Sequence, residues 1–207
     1  MANKDGLYIL STAYLPPAEY FVALGKAEEV ILEQYEHYHK QSYRNRCRIM
    51  SANGIMDLAI PVEKPGKAFI RDVKISDQTD WQTQHWRSIE SAYSSSPFFE
   101  YYQDDFKPFF EKKWIFLWDF NFELLNKVLE LLEMQCSVSF SDKYTSVSGG
   151  KDLRDLIHPK KEIIFSTAGY YQVFEQKYGF TDNLSIIDLL FNMGNESQLI
   201  LNRSITG

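Results

Sequence analysis

The chain opens with two apolar runs separated by a helical pattern. Leu7 to Tyr14 has strand length and stops at Leu15-Pro16-Pro17. Pro17 suits a first helical turn, where a missing N–H costs nothing. Ala18 to Lys26 then carries Tyr20, Phe21 and Leu24 at helical spacing, and Glu29 to Tyr35 returns to strand character. Strand, helix and strand in this order predict a βαβ unit, from which a parallel pairing is inferred.

The next segment predicts a hairpin. Asn53-Gly54 is a strong turn signal because both residues tolerate the positive φ of a type I′ turn. A two-residue loop there sets Ala52 opposite Ile55, Met50 opposite Asp57, Ile49 opposite Leu58, Cys47 opposite Ile60 and Asn45 opposite Val62. One face then holds Cys47, Ile49, Leu58, Ile60 and Val62, apolar throughout, as a core-facing side requires. The other face lines up Arg44, Arg46, Arg48 and Met50 against Pro61, Ala59 and Asp57.

Beyond a turn at Lys64 to Lys67, Ile70 to Ile75 reads as a short strand. Asp80 is placed to cap a helix from Trp81, with Trp81, His85, Ile89 and Tyr93 on one stripe. Pro97 and Pro108 divide the aromatic region that follows into short helices. Ile115 to Glu133 predicts the longest helix, with Leu117, Leu124, Leu125, Val128, Leu131 and Leu132 along its stripe. Short strands are expected at Val138 to Phe140 and Ile163 to Phe165. A loop at Ser148-Gly149-Gly150 precedes a short helix over Asp152 to Ile157. A helix over Ser185 to Phe191 has Ser185 as N-cap and Asp188 at its third position, and Gly194 ends it. No repeat or low-complexity linker intervenes. The fold expected is α/β in one domain, a mixed central sheet with a hairpin at about 43–62 and flanking helices.

Composition narrows the function classes. The net charge of −6 over 207 residues disfavours a general nucleic-acid binder. No apolar stretch reaches the roughly 18 residues that span a membrane. Residues 1–17 lack a positive n-region and a cleavage site, so no signal peptide is expected. Cys47 and Cys136 are far apart without metal-ligand spacing, which fits reduced thiols and a cytoplasmic setting. From Tyr93 to Phe122, thirteen of thirty residues are aromatic. At helical spacing most of these belong to a core, with Tyr101 and Tyr102 beside Asp104 and Asp105 as the exposed part.

Candidate chemistry centres on the arginine face. Guanidinium groups match carboxylate or phosphate in two parallel bonds, so the row reads as an anion site or as a solvated sheet face. His85 is either a packed core histidine or a general acid or base. His37 and His39 form an H-x-H pair that would share one strand face, with no further metal ligand evident. Ser148 to Lys151 lacks P-loop spacing, though its backbone could offer N–H groups at a helix start. No G-x-S-x-G elbow is present, and neither a metal nor a cofactor is implied.

Several stretches together resemble the WbqC-like protein family. They are Ser11-Thr12-Ala13-Tyr14-Leu15-Pro16-Pro17-Ala18-Glu19-Tyr20-Phe21, Tyr43-Arg44-Asn45-Arg46 with Ile49, and Ile60-Pro61-Val62. Ile70-Arg71-Asp72-Val73-Lys74-Ile75, Trp81 to His85, Ala92-Tyr93 with Pro97-Phe98-Phe99, and Leu184 to Asn192 with Gly194 follow in family order. The family opening usually reads Gln-Pro-x-Tyr-Phe-Pro-Trp. Ser11 and Thr12 stand here for Gln-Pro and Pro17 for Trp, so a role of that Gln does not carry over. The strand–turn–helix start is also similar to Rossmann-like nucleotidylyltransferase folds. The resemblance implies a bacterial transferase of surface-polysaccharide (O-antigen) precursor synthesis, moving an aminoacyl or acyl group to an amino sugar. Its ligand would be an anionic small molecule such as a nucleotide sugar. Arg44 and Arg46 would hold the anion, His85 would handle a proton, and Tyr14, Asn45, Asp72 and Tyr93 would complete the pocket. The alternative is a binding or assembly protein without chemistry, using the arginine face and the aromatic surface.

Overall fold

The computed structural model describes residues 5–146 and 150–206. Met1 to Lys4 of the leader reading and the Ser148-Gly149 part of the expected loop lie outside them. In chain order, β1 (Asp5–Ser11), α1 (Ala18–Lys26) and β2 (Ala27–Glu33) form the opening unit. The hairpin β3 (Arg46–Ser51) and β4 (Gly54–Ala59) comes next, followed by α2 (Trp81–Tyr93), α3 (Phe99–Glu111) and α4 (Leu117–Leu131). Then come β5 (Val138–Phe140), β6 (Lys151–Asp152), α5 (Glu175–Tyr178), α6 (Ile186–Met193) and α7 (Ser197–Thr206). No helix among the described residues is long and apolar enough to cross a membrane.

The fold is mixed α/β. One sheet has the order β5-β2-β1-β6 and is parallel throughout, while the antiparallel hairpin makes a second sheet. Tyr8, Ile9, Leu10, Val30 and Leu32 are buried, as expected for parallel strands covered on their faces. α1 has the predicted bounds, and its segment Ala18 to Leu24 is buried. A Cβ at Gly25 would overlap the side chain of Ile205, so α7 lies against the glycine face of α1.

The hairpin register differs from the predicted one by two residues. Arg46 pairs with Ala59, Cys47 with Leu58, Ile49 with Met56, and Ser51 with Gly54. The loop is therefore Ala52-Asn53. Neither residue has a positive φ, and the positive value falls on Gly54 at +102°. The turn is an ordinary one followed by a glycine in the conformation only glycine adopts freely. A shift of two keeps every side chain on its predicted face, so Cys47, Ile49, Leu58 and Ile60 are buried.

Four further expectations are corrected. Ile70 to Ile75 is not a strand: Ile70–Asp72 is a short 3-10 turn, and the amides of Asp72 and Val73 bond locally to Phe69 and Ile70. Pro108 lies inside α3 rather than ending a helix. Pro108 and Asp104 are both exposed, so water can serve the carbonyl that loses its partner. Ile163 to Phe165 forms no strand, because the Ile164 amide donates to the buried carboxylate of Glu19 at 3.1 Å. Asp152 to Ile157 begins as strand β6 and continues as turns on the Leu153 carbonyl. Asp80 does cap α2 by accepting from the Thr83 amide. Gly194 ends α6 at φ +55°.

Candidate functional site

The connection after β1 leaves through α1 toward β2, while β6 lies on the other side of β1. The strand order therefore reverses between β1 and β6. In open parallel sheets the crevice outside the carboxyl ends at such a point is where ligands bind. A cleft is present there, lined by Ser11 at the end of β1 and Thr12 just after it, Leu153 and Arg154 after β6, and Tyr43 and Arg44 before the hairpin. Leu10, Ala13, Tyr20 and Ile157 complete its wall, and its free interior is about 10 Å³, the room of about one water.

The turn leaving β1 is held in a strained shape. Leu15 has φ +39°, a left-handed conformation unfavourable for a side chain of this size. Three bonds from the start of α6 fix it. The Ser185 hydroxyl donates to the Leu15 carbonyl at 2.9 Å, the Ile186 amide to Pro16, and the Ala18 amide to the Leu184 carbonyl. Ser185 spends its hydroxyl here, so the predicted capping role at α6 is not formed.

Buried charges gather behind the cleft. Arg44 donates from Nε to Glu36 Oε1 at 2.8 Å and from Nη2 to Glu36 Oε2 at 2.5 Å. Both side chains are buried. Ser11 donates to Glu36 Oε2 at 3.2 Å. Arg154 grips Asp152 in two bonds of 2.9 and 2.5 Å and lies 3.4 Å from Glu33. Glu33 also accepts from Ser141 at 2.7 Å and from the Thr145 amide at 2.7 Å. The Asp152 contact, helped by the nearby carboxylate of Glu33, holds the Arg154 guanidinium firmly charged, and Arg154 holds the Asp152 carboxyl below its usual range. Both cleft arginines are thus neutralised by carboxylates of the chain itself.

Two polar groups in the cleft wall are unspent. The hydroxyls of Thr12 and Tyr43 have no hydrogen-bond partner among the described residues. Burial pushes the Tyr43 hydroxyl up to about 12, so it remains a neutral donor and acceptor at neutral pH.

Of the predicted site residues, Arg44 lines this cleft and the others lie elsewhere. Tyr14 is buried, and its hydroxyl shares a 2.9 Å hydrogen bond with His85 Nδ1. Trp81 packs edge-on to His85, and burial lowers the imidazole to about 4, so it is neutral at pH 7. Asn45 donates to the Ile60 carbonyl at 2.7 Å and clips the open end of the hairpin. Tyr93 donates to Asp188 on α6 at 2.9 Å. Asp72 is exposed, 3.6 Å from Arg71. Arg46 is one-quarter exposed and 3.9 Å from Asp57.

His37 and His39 lie in the loop after β2 and not on a strand. His37 stacks on Phe69, and His39 lies 3.3 Å from Asp155. Tyr101 is exposed while Tyr102 is buried. Among the described residues no group of three or more His, Cys, Asp or Glu is placed to hold a metal ion.

Sequence reasoning did not select Thr12, Glu36, Tyr43, Asp152 or Arg154. The usable signal was position. Ser11 ends β1 and Thr12 directly follows it, and polar residues at and just beyond the carboxyl end of a parallel strand face the ligand side.

The model of the WbqC-like protein family matches residues 12–162. A relative from Mycobacterium tuberculosis (strain ATCC 25618 / H37Rv), "Uncharacterized protein Rv1507c", is 28% identical over 218 residues. The match covers 91% of this chain and 94% of the relative. No solved structure matches the chain.

Proposed function

The chain belongs to the WbqC-like protein family, and on that premise we propose that it is a transferase of surface-polysaccharide precursor synthesis. Its acceptor would be the amino sugar of a nucleotide-linked precursor, docked over the mouth of the narrow cleft between the carboxyl ends of β1 and β6, and the group moved would be an aminoacyl or acyl group. The observation that supports this most is the cleft wall. Thr12 and Tyr43 present unspent neutral hydroxyls beside Leu153 and Ile157, a pairing suited to a sugar ring with its hydroxyl edge and C–H face. Glu36 and Asp152 fix the arginines, so the wall is rigid before a ligand arrives. In this reading Arg44, held by Glu36, braces the cleft wall. Tyr14 and His85 act as positioning residues behind the wall, and the protein works as one domain in the cytoplasm.

Thermal-shift screening against nucleotide-linked amino sugars tests this. The expected result is stabilisation by at least one of them that weakens in Tyr43→Phe. No shift from any, at concentrations that saturate a working binder, would overturn it. A second reading is a binding protein without chemistry, favoured by the Ser11 hydroxyl being spent on Glu36 and the Arg154 carbonyl. Binding with no acyl transfer from activated ester or thioester donors would select it.

A further inference from the structure

The chain has four histidines, and their rings meet different neighbours. His85 is buried against Tyr14 and Trp81. His37 stacks on Phe69, and His158 Nδ1 accepts from the Lys160 amide at 3.2 Å. Among the described residues, His39 is the histidine at ion-pair distance from a carboxylate. Its Nδ1 lies 3.3 Å from Asp155 Oδ1, and the two side chains are 52% and 61% exposed. An exposed pair of this kind adds little to stability, so the fold has little need of it.

The pair stands at the rim of the cleft. Asp155 directly follows Arg154, and Arg154 and Ile157 both line the cleft wall. The Asp155 oxygen that faces His39 also lies 3.6 Å from Arg44 Nη2. Arg44 lines the cleft as well and is clamped by Glu36. Glu36, Arg44, Asp155 and His39 thus form a chain of contacts from the buried interior to the exposed mouth. With Nδ1 turned to the carboxylate, a neutral ring carries its proton there and leaves the Nε2 lone pair free. Nε2 has no partner among the described residues. A base oriented by a third group is the arrangement that proton-transfer catalysis uses. The 3.3 Å contact is longer than a tight hydrogen bond, as such pairs often are before a substrate arrives.

We propose that His39 is the general base for acyl transfer at the cleft mouth, with Asp155 as its positioning residue. This rests on the reading above, in which an amino sugar accepts an acyl group from an activated ester or thioester. The amine nitrogen forms a bond to the acyl carbon, and His39 Nε2 takes the proton that the nitrogen sheds. The C–O or C–S bond of the donor breaks, and the same proton passes to the departing oxygen or sulfur. No further reactant is needed. His85 does not compete for this part, because it is 6% exposed and its Nδ1 is shared with Tyr14.

The test uses the full chain with p-nitrophenyl acetate as donor and glucosamine as acceptor, read as glucosamine-dependent p-nitrophenolate release and as N-acetylglucosamine formed. His39→Gln should lower kcat about a hundredfold, and His158→Gln should leave it unchanged. Asp155→Asn should lower kcat with KM held, and Asp155→Glu should restore part of the loss. Both side chains are exposed, so the variants should melt with the wild type. A wild type no faster than His39→Gln, an equal loss in His158→Gln, or a wild-type kcat in Asp155→Asn would each overturn the proposal. Thermal shift with nucleotide-linked amino sugars keeps the two readings apart. Stabilisation by one of them, with release indifferent to His39, leaves the docking site and removes the base. Release that depends on His39, with stabilisation by none of them, leaves the base and removes the nucleotide-linked acceptor.

Discussion

Arg44 is a charged side chain 2% exposed, in two bonds with a carboxylate 6% exposed. Removing one member of such a pair strands the other charge away from water, at a cost of about 3–5 kcal/mol. Arg44→Leu is therefore expected to lower the urea-unfolding stability by that amount. Arg46→Lys should stay within about 0.5 kcal/mol of the wild type, since no hydrogen bond is lost. Equal effects of the two substitutions would contradict the assignment of Arg44 as a buried, clamped arginine and of Arg46 as a partly exposed one. The sequence named Arg44 but could not name its partner. Glu36 stands in a loop with no periodic pattern around it, and it meets Arg44, eight residues on, only because the connection between β2 and β3 curls back on itself. Arg46 and Arg48 share a face of β3 as strand alternation predicts, but Arg44 lies in the turn before the strand and leaves the row. The partner of Arg44 was not legible, because it depends on the path of an irregular loop that has no periodicity to read.

Among the elements, α6 carries the least expected group. Asp188 was read as a helix-start acid, yet its carboxylate faces inward and accepts from Tyr93 at 2.9 Å, Tyr170 at 2.8 Å and Gln172 at 2.9 Å. Burial raises its pKa to about 6, and the bonds from Tyr170, Tyr93 and Gln172 only partly counter this. The folded state thus holds this proton more tightly than the unfolded chain, whose value is near 3.8. Its contribution to stability is complete below about pH 4 and is lost as pH rises through about 6, on the order of 3 kcal/mol. Asp188→Asn should flatten this loss, so the melting temperatures of the two proteins should diverge between pH 4 and pH 6. Parallel curves across that window would refute the assignment. Elements with strong periodicity were legible: α1 and β5 have their predicted bounds, and α4 lies within its predicted span. Those that failed were short apolar stretches such as Ile163 to Phe165. There a single amide bond to Glu19 outweighs local strand preference.

At the scale of the whole molecule, the βαβ opening and the hairpin were visible because each is closed by neighbours in sequence. The position of β6 was not visible, since Lys151–Asp152 has only two residues and owes its place to β1. That placement also governs how the molecule comes to exist. Tyr8 and Lys151 are 143 residues apart, so the last wall of the cleft arrives by a long-range closure whose entropy must be met before its contacts form. Such topologies fold slowly, and the locally closed units form ahead of the rest. Pulse-labelled hydrogen exchange during refolding should protect the β1–β2 amides before that of Leu153, which donates to the Ile9 carbonyl. Simultaneous protection would refute this order. On the ribosome, the same order means that a growing chain exposes the carboxyl edge of β1 until residues beyond Arg154 have emerged. Cleft formation is then a late event of biosynthesis, and a chain interrupted before that point would carry a sheet with no site.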